Sequence, residues 1–440
     1  MKFFDSVKKI CLFLLTFFII DFSPNILNEI QPDSGSYLNL NPTRQTTYYI
    51  VIYALDLLGI DLIFFQKIFL SLSITVLIYL IKKKTNIYFS IIVYVLIVSN
   101  IYYTSFSKTI LTESLFLSLI NLSIFFLFNL KTKLNLIFFS LCCGIIASLK
   151  PIGIPFALIL ITMGIIKIKK NQIFLIIILF LLPNIVENLF FYSHFDKRET
   201  VFKHSVAGKI FLLSGKDSFK ISDYPNNLQN LLTASKKEFI PIHQYLDNID
   251  NIFLKSELLS DYEVVAQYQT FNLQSVKKIN FDNEIFFDNS SKIFIQVLKN
   301  NLPDYLILSF YHYLGNWSIG SKVRLLNENK NLIPKYNELE KSSGPMNLPS
   351  FFLIELAQYF FFILLFILTS YSLLSFLSFF RIIKKKMTFE SVSLIFLIQS
   401  YLILVCLTNV STPRYLMPVY IPTLMIIVDF FNLIKKKYNS

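Results

Sequence analysis

Residues 131–170 read KTKLNLIFFSLCCGIIASLKPIGIPFALILITMGIIKIKK, and the fold is most clearly predicted from this stretch. Two apolar runs, 134–149 and 152–167, flank a short turn that contains Lys150, and lysines close the unit at both outer ends. Apolar runs of about this length cross a bilayer as helices, and basic residues collect on the cytoplasmic side. The stretch therefore predicts two antiparallel membrane helices with their lysine ends in the cytoplasm and Lys150 outside.

The same pattern extends along the whole chain. If the N-terminus is cytoplasmic, a lysine cluster falls on every second connection, which also makes the C-terminus cytoplasmic. The sequence thus predicts an all-α multi-pass membrane protein of about ten transmembrane helices. These predicted spans lie near 8–24, 62–81, 87–104, 110–130, 134–149, 152–167, 173–192, 351–380, 388–408 and 415–434.

Composition agrees with a membrane class. The chain has 440 residues, of which 54% are hydrophobic, and its mean hydropathy is +0.56, which is more than a soluble domain needs for its core. The net charge of +13 comes largely from lysine clusters that end the apolar runs, so it indicates topology and no nucleic-acid partner. All four cysteines fall inside predicted spans, which leaves no disulfide or zinc pattern.

The predicted spans divide the chain into three regions. Residues 1–192 form an N-terminal bundle of about seven helices, and residues 351–440 form a C-terminal bundle of about three. Between them, 193–350 is hydrophilic and is predicted to be a periplasmic segment, mixed α/β or mainly helical. Within it, 292–313 is apolar enough to form two short interfacial helices broken at Pro303. The predicted location is the bacterial inner membrane.

The first external loop, 21–49, reads DFSPNILNEIQPDSGSYLNLNPTRQTTYY and is too long and polar to be a simple connector. Other polar residues reach the same membrane face from the segments SKTILTESLF (107–116), SLKPIG (148–153) and NVSTPRYLMPVYIP (409–422). An acid at a membrane edge is costly unless it is used. The candidate site residues on this face are Asp33, Tyr37, Arg44, Glu113, Lys150, Arg414 and Tyr415.

Each charged candidate also has an ordinary structural interpretation. Asp33 could be a solvated loop acid, and Glu113 could be a first-turn carboxylate facing the positive end of its helix dipole. Lys150 and Arg414 could anchor their helices at the interface. Their convergence on one face favours function, because carboxylates beside cations suit a reaction that deprotonates a hydroxyl while a phosphate is held.

These motifs resemble a known family, the polytopic C-type glycosyltransferases with the GT-C fold. The resemblance is to bacterial relatives of protein O-mannosyltransferases and of the transferases that add aminoarabinose to lipid A. It rests on PDSGSY around Asp33 and Tyr37, TESLF at the start of the fourth span, LKPIG after the fifth, and TPRYLMP before the last. It covers the membrane part of the chain.

The resemblance implies a glycosyltransferase that moves a sugar from a polyprenyl-phosphate donor to an external glycan, lipid or protein acceptor. Asp33 would be the catalytic base, assisted by Glu113, and inversion at C1 would follow from single displacement. The substrate-binding residues would be Tyr37, Arg44, Lys150, Arg414 and Tyr415. The family often has a second acid directly after the first, where this chain has Ser34. We therefore predict no cofactor and no metal ligand, and metal dependence stays open.

Two other functions compete with this one. A polymerase or ligase of lipid-linked oligosaccharides also has many helices and a large external loop, but it usually relies on arginines and histidine in later loops. A transporter or lipid flippase predicts an internal repeat and ionisable residues near the bilayer midplane. Neither feature is evident in the sequence, so the early position of the acids favours the transferase.

Overall fold

The computed structural model describes residues 2–198 apart from 24, 26 and 32, and residues 209–250, 252–259, 294–316, 389–408 and 415–438. Over these ranges the regular secondary structure is helical and contains no strand. The helices are α1 Lys2–Phe22, α2 Ser34–Leu38, α3 Thr47–Leu57, α4 Leu62–Lys84, α5 Ile87–Ser99, α6 Ile101–Ser105, α7 Glu113–Leu127, α8 Lys133–Leu149, α9 Gly153–Lys167, α10 Ile173–Tyr192, α11 209–214, α12 Asn226–Asp247, α13 Ile252–Leu259, α14 294–300, α15 Leu302–Asn316, α16 Phe389–Thr408 and α17 Met417–Tyr438.

Three of the described helical segments are long and apolar enough to cross a membrane: Leu62–Lys84, Lys170–Tyr192 and Ser391–Thr408. The prediction of a helical membrane protein is confirmed at this level. Six other apolar helices have 10–17 residues. At 1.5 Å per residue, 17 residues rise about 26 Å, which is less than the hydrocarbon thickness of about 30 Å. The predicted span 351–380 lies outside the described residues.

Helix α7 forms the centre of the bundle. Its side chains are buried at nearly every position, including Glu113, Asn121 and all three serines. Small residues let neighbouring helices approach closely, and the hydroxyl of Ser118 donates to the carbonyl of Ser114 at 2.9 Å, so its polar group stays satisfied. Helices α4 and α8 both pack against α7, and α17, from the C-terminal part of the chain, packs against it as well.

Close packing of α8 against α10 depends on a glycine. A Cβ atom at Gly144 would lie 2.5 Å from the backbone oxygen of Phe180 and 2.9 Å from the ring of Pro183. Both positions belong to α10, so the contact cannot be relieved by rotating one flexible side chain. Gly144 therefore determines how closely these two helices approach, and with them the position of Lys150 after the end of α8.

Lysines that end two of the apolar runs lie together at one end of the bundle. The ammonium nitrogens of Lys84 and Lys167 lie 3.7 and 5.1 Å from the ring centre of Phe128, which follows the last residue of α7. These residues come from α4, α7 and α9, and they define what we call the lysine end. The opposite end is the loop end, where residues of the first loop contact the segment before α7, the end of α8 and the last turns of α10.

The first loop is more ordered than the sequence indicated. It contains the short helix α2, and at Thr47 it enters the 11-residue helix α3, which was not predicted. The end of α3 leads into a turn at Gly59, whose φ of +66° is a conformation that favours glycine. The predicted loop 21–49 thus ends within the first residues of α3, because the sequence alone does not distinguish a short apolar helix from a connector.

The described part of 193–350 is helical, so its mixed α/β alternative receives no support there. Helices α11 to α15 share a second apolar core, centred on Phe211, Leu232, Phe239 and Tyr305. The predicted break near Pro303 is confirmed: α14 ends at 300 and α15 begins at Leu302. This core also packs against Leu407 near the end of α16.

Candidate active site at the loop end of the bundle

Asp33 and Arg44 form an ion pair within the first loop. The Nη2 atom of Arg44 lies 2.6 Å from Oδ1 of Asp33, and its Nε atom donates to Oγ of Ser36 at 3.0 Å. Asp33 directly precedes α2, and the guanidinium lies 5.0 Å from the ring centre of Tyr37. The side chains of Arg44 and Asp33 are 23% and 29% exposed, so the pair is open to a ligand.

Glu113 and Lys150 form a second, more deeply buried ion pair. The Nζ atom of Lys150 lies 2.9 Å from Oε1 of Glu113, with the two side chains 15% and 5% exposed. Glu113 is the first residue of α7, where a carboxylate faces the positive end of the helix dipole, and Thr112 donates to its other oxygen at 3.2 Å. Lys150 follows the last residue of α8. The fold thus joins two residues that are 37 positions apart in sequence.

Tyr37 connects the two ion pairs electrostatically. Its ring is buried and meets the ring of Tyr48 edge-on, with centroids 5.4 Å apart. Burial raises the pKa of the Tyr37 phenol, because the phenolate would lose its hydration. Four charges of the two pairs also act on this pKa: Arg44 and Lys150 lower it, while Glu113 and Asp33 raise it. A neutral phenol therefore lies within the field of both pairs.

Ser34 attaches the first loop to the segment before α7. It is fully buried, accepts the backbone N–H of Gln31 at 2.8 Å and donates to the carbonyl of Ile110 at 2.9 Å. The N–H of Ile110 in turn donates to the carbonyl of Glu29 at 2.9 Å. Ser34 thus has a donor role that a carboxylate could not fill, which explains why an acid does not fit here.

Glu187, for which the sequence suggested no role, attaches the other end of the loop. It is buried on α10 and accepts the backbone N–H of Thr46 at 2.9 Å. Arg198 donates to both of its carboxylate oxygens at 2.9 Å. Thr46 lies two residues after Arg44, so Glu187 holds the segment that carries this cation. A lone glutamate near the end of an apolar run was the available signal.

Several buried polar atoms beside these contacts lack hydrogen-bond partners among the described residues. They are Oε1 of Gln45, Oγ1 of Thr47 and Oγ of Ser114. The first two flank Thr46, and the third is next to Glu113. Buried polar groups in native proteins are nearly always satisfied, so a cluster of exceptions is typical of a place where a ligand or water completes the network.

A shallow concavity opens beside the first ion pair. Its empty space is about 190 Å³. Arg44 and Tyr37 form part of its wall, together with polar loop residues. The lining residues are Ser36, Tyr37, Leu40, Asn41, Arg44, Gln45, Thr46 and Tyr49.

Two predicted site residues come from the segment before α17. Tyr415 is half-buried and packs against the main core. Near the start of α17 the hydroxyl of Tyr420 donates to the carbonyl of Leu96 at 2.7 Å, and its ring lies 5.7 Å from that of Tyr103. The start of α17 therefore lies beside the end of α5 and the short helix α6. Arg414 lies outside the described residues.

Nearby charges have structural roles. Lys108 is buried and donates to the carbonyls of Asp21 and Ser23 at the end of α1, while the Asp21 carboxylate pairs with Lys67 at 2.6 Å. Burial lowers the pKa of Lys108. Within the described ranges, no group of three His, Cys, Asp or Glu side chains is arranged to hold a metal ion.

The described fold therefore defines the class of a helical, membrane-associated protein with several carboxylate–cation pairs at one end of its bundle, among them Asp33–Arg44 and Glu113–Lys150. Comparisons with protein-family models, with curated proteins and with solved structures found no match for this chain.

Proposed function

We propose that this chain is a membrane glycosyltransferase of the GT-C type, which moves a sugar from a polyprenyl-phosphate donor to an external glycan, lipid or protein acceptor. The observation that carries the proposal is the grouping of two carboxylate–cation pairs, Asp33 with Arg44 and Glu113 with Lys150, around the buried Tyr37 phenol. Such a transfer needs a group that takes a proton and cations that hold a phosphate.

In the proposed reaction, the acceptor hydroxyl gives its proton to the carboxylate of Asp33. The hydroxyl oxygen bonds to C1 of the sugar as the bond from C1 to the phosphate oxygen breaks, and the electron pair leaves with the polyprenyl phosphate. A single displacement of this kind inverts C1. The guanidinium of Arg44, which can bond two phosphate oxygens, and the ammonium of Lys150 neutralise the leaving phosphate, and Arg414 and Tyr415 assist.

The resting ion pairs suit this chemistry. Each cation is balanced by a carboxylate before the donor arrives, so neither is left buried and uncompensated. A carboxylate that shares an oxygen with a guanidinium is a weaker base than a free one. When Arg44 turns from Asp33 to the donor phosphate, it therefore frees the base at the moment when the substrate is present.

The position of the charged pairs favours an enzyme over a transporter. Glu113 is the first residue of α7 and Lys150 follows the last residue of α8, so both lie at helix ends and not midway along a helix. An alternating-access transporter places its ionisable residues near the midplane. A lipid-linked oligosaccharide polymerase or ligase is the nearer alternative, and its pyrophosphate-linked donor distinguishes it.

The proposed topology has ten spans, with the lysine end in the cytoplasm and the loop end in the periplasm of a bacterial inner membrane. Separation of the lysine clusters from the first loop supports it. The shorter helices would be accommodated by local thinning of the bilayer. A reporter fused within 193–350 and found in the cytoplasm would contradict both the topology and the site.

The test of function is sugar transfer in membranes supplied with a polyprenyl-phosphate sugar. We expect Asp33→Asn to reduce kcat about 100-fold or more, since it removes the general base. Asp56→Asn, at an exposed acid near the end of α3, is the matched control and should keep full activity. Undiminished transfer by Asp33→Asn would refute the assignment of the base.

A further inference from the structure

Helix α15 has an apolar side that faces away from the rest of the described structure. Its residues Leu302, Leu306, Ile307 and Phe310 are 43–52% exposed. They recur at a helical spacing of three to four residues, so they form one continuous stripe along α15. We call this stripe the outer face of α15.

The inward side of the same helix carries polar residues. Ser309 and His312 are buried, beside the buried rings and chains of Tyr305 and Leu308. A helix on the surface of a water-soluble domain has the opposite arrangement, with apolar residues inside and polar residues outside. The inversion is expected where the surrounding medium is hydrocarbon and polar groups find partners inside the protein.

Two hydrogen bonds between α15 and α16 show how far the two helices run side by side. The Tyr305 hydroxyl donates to the carbonyl of Leu407, and eight residues later the Tyr313 hydroxyl donates to Oε1 of Gln399 at 2.6 Å. The two helices are therefore antiparallel. Eight residues of α16 correspond to about 12 Å along its axis.

The part of α16 that contacts α15 lies within a candidate membrane span. Gln399 and Leu407 both belong to Ser391–Thr408, one of the three segments long and apolar enough to cross a membrane. Since α15 runs beside this segment for about 12 Å, a bilayer that surrounds α16 also surrounds the neighbouring part of α15. The outer face would then be at the depth of the acyl chains.

A buried lysine contacts both α15 and α16. Lys209 donates to Oγ of Ser309 at 3.0 Å and to the carbonyl of Cys406, and its ammonium lies 4.9 Å from the ring centre of Tyr305. It ties α11 to both helices near the loop end.

We propose that the outer face of α15 is covered by lipid acyl chains, so that α15 is embedded in the half of the bilayer nearer the loop end. This assignment is independent of the proposed enzymatic function. It places part of the segment 193–350 in the membrane, where the sequence predicted helices that lie along the interface or are buried against the bundle.

The test uses the full-length protein in lipid nanodiscs, with nitroxide labels at single cysteines. Cys11 is exposed and would be replaced by serine, whereas Cys142, Cys143 and Cys406 are buried. Labels would be attached in the variants Leu306→Cys and Phe310→Cys. Each is tested for collision with molecular oxygen, which enters lipid, and with a nickel chelate, which stays in water.

Two further positions provide references. Phe396→Cys lies on the exposed side of α16 and reports lipid, while Asn300→Cys, exposed just before α15, reports water. We expect the ratio of oxygen to nickel collisions at the α15 labels to match that at position 396 and to exceed the ratio at position 300 several-fold. Ile307→Cys repeats the measurement if one of the first variants fails to fold.

Two results would overturn the proposal. Nickel collisions at Leu306→Cys and Phe310→Cys as frequent as at Asn300→Cys would show that the face lies in water. Protection from both reagents would show that protein covers it. Each result is interpretable whether or not the chain transfers sugar, because no substrate is involved.

Discussion

Glu187 offers the sharpest test of how the first loop is held. Its carboxylate accepts the backbone N–H of Thr46 at 2.9 Å, the hydroxyl of Thr46 at 3.2 Å and two bonds from Arg198 at 2.9 Å. The substitution Glu187→Ala removes all of these at once. We expect it to release the segment that carries Arg44 while leaving the helices of the bundle assembled.

The size of the effect follows from burial. Glu187 is 3% exposed, so its loss leaves the N–H of Thr46 unsatisfied inside the protein, at a cost of about 1–3 kcal/mol. Arg198 also loses its partner, but its side chain is 23% exposed and is partly rehydrated. Breaking a buried pair typically costs about 3–5 kcal/mol, and the rehydration favours the lower end, about 3 kcal/mol.

Amide hydrogen exchange of the peptide that contains Thr46 measures this directly. Since about 1.4 kcal/mol corresponds to a tenfold change, a loss of about 3 kcal/mol predicts exchange about 100-fold faster. Glu187→Gln keeps an acceptor for the N–H of Thr46 and loses only the charge that holds Arg198. We therefore expect it to accelerate exchange about tenfold.

The matched control is Glu29→Ala, which removes an exposed acid from the same loop. Its side chain faces solvent, so exchange at Thr46 should stay within about twofold of the unsubstituted protein. If the amide at Thr46 exchanges no faster in Glu187→Ala than in this control, Glu187 does not hold the loop. If exchange accelerates equally in the peptides of α7 and α8, the substitution unfolds the whole protein, and a local role for Glu187 is contradicted as well.

Three further predictions concern other contacts. Ser34→Asp should destabilise the protein by about 2 kcal/mol, because it places an acceptor against the carbonyl of Ile110, and thermal unfolding should show Ser34→Ala to be milder. Gly144→Ala should lower the melting temperature, since its Cβ would lie 2.5 Å from a backbone oxygen of α10, whereas Gly35→Ala, with nothing within 4 Å, should not. Burial lowers the pKa of Lys209 from 10.5 to about 7, so between these values the unfolded chain binds more protons and stability should rise with pH. Lys209→Met should abolish that rise in unfolding measurements from pH 7 to 10, and an unchanged slope would contradict the assignment.

The candidate site was partly predictable from sequence. Because lysine clusters alternate with polar connections, Glu113 and Lys150 could be assigned to one end of the bundle before any contact was known. Their pairing at 2.9 Å could not, since α7 and α8 might equally have presented these residues to different neighbours. The contact between Asp33 and Arg44 could not be predicted either, because two residues of one loop need not touch each other.

The roles of Glu187 and Ser34 needed the fold. A glutamate 141 residues from Thr46 has no sequence signal that identifies its partner, and a serine in a polar loop looks like any solvated residue. Burial changed both interpretations, because a buried polar group must find a partner.

What the sequence determined by itself was the class of the protein. The length and apolarity of its runs and the spacing of its lysines are local properties. Because placing charge in hydrocarbon is costly, they predict which segments form membrane helices and where those helices end. Which charges meet, which loop is fixed and which face of α15 turns outward were decided by the tertiary structure alone. These depend on the rotation of each helix about its axis, and that rotation is set by packing contacts between residues far apart in the chain.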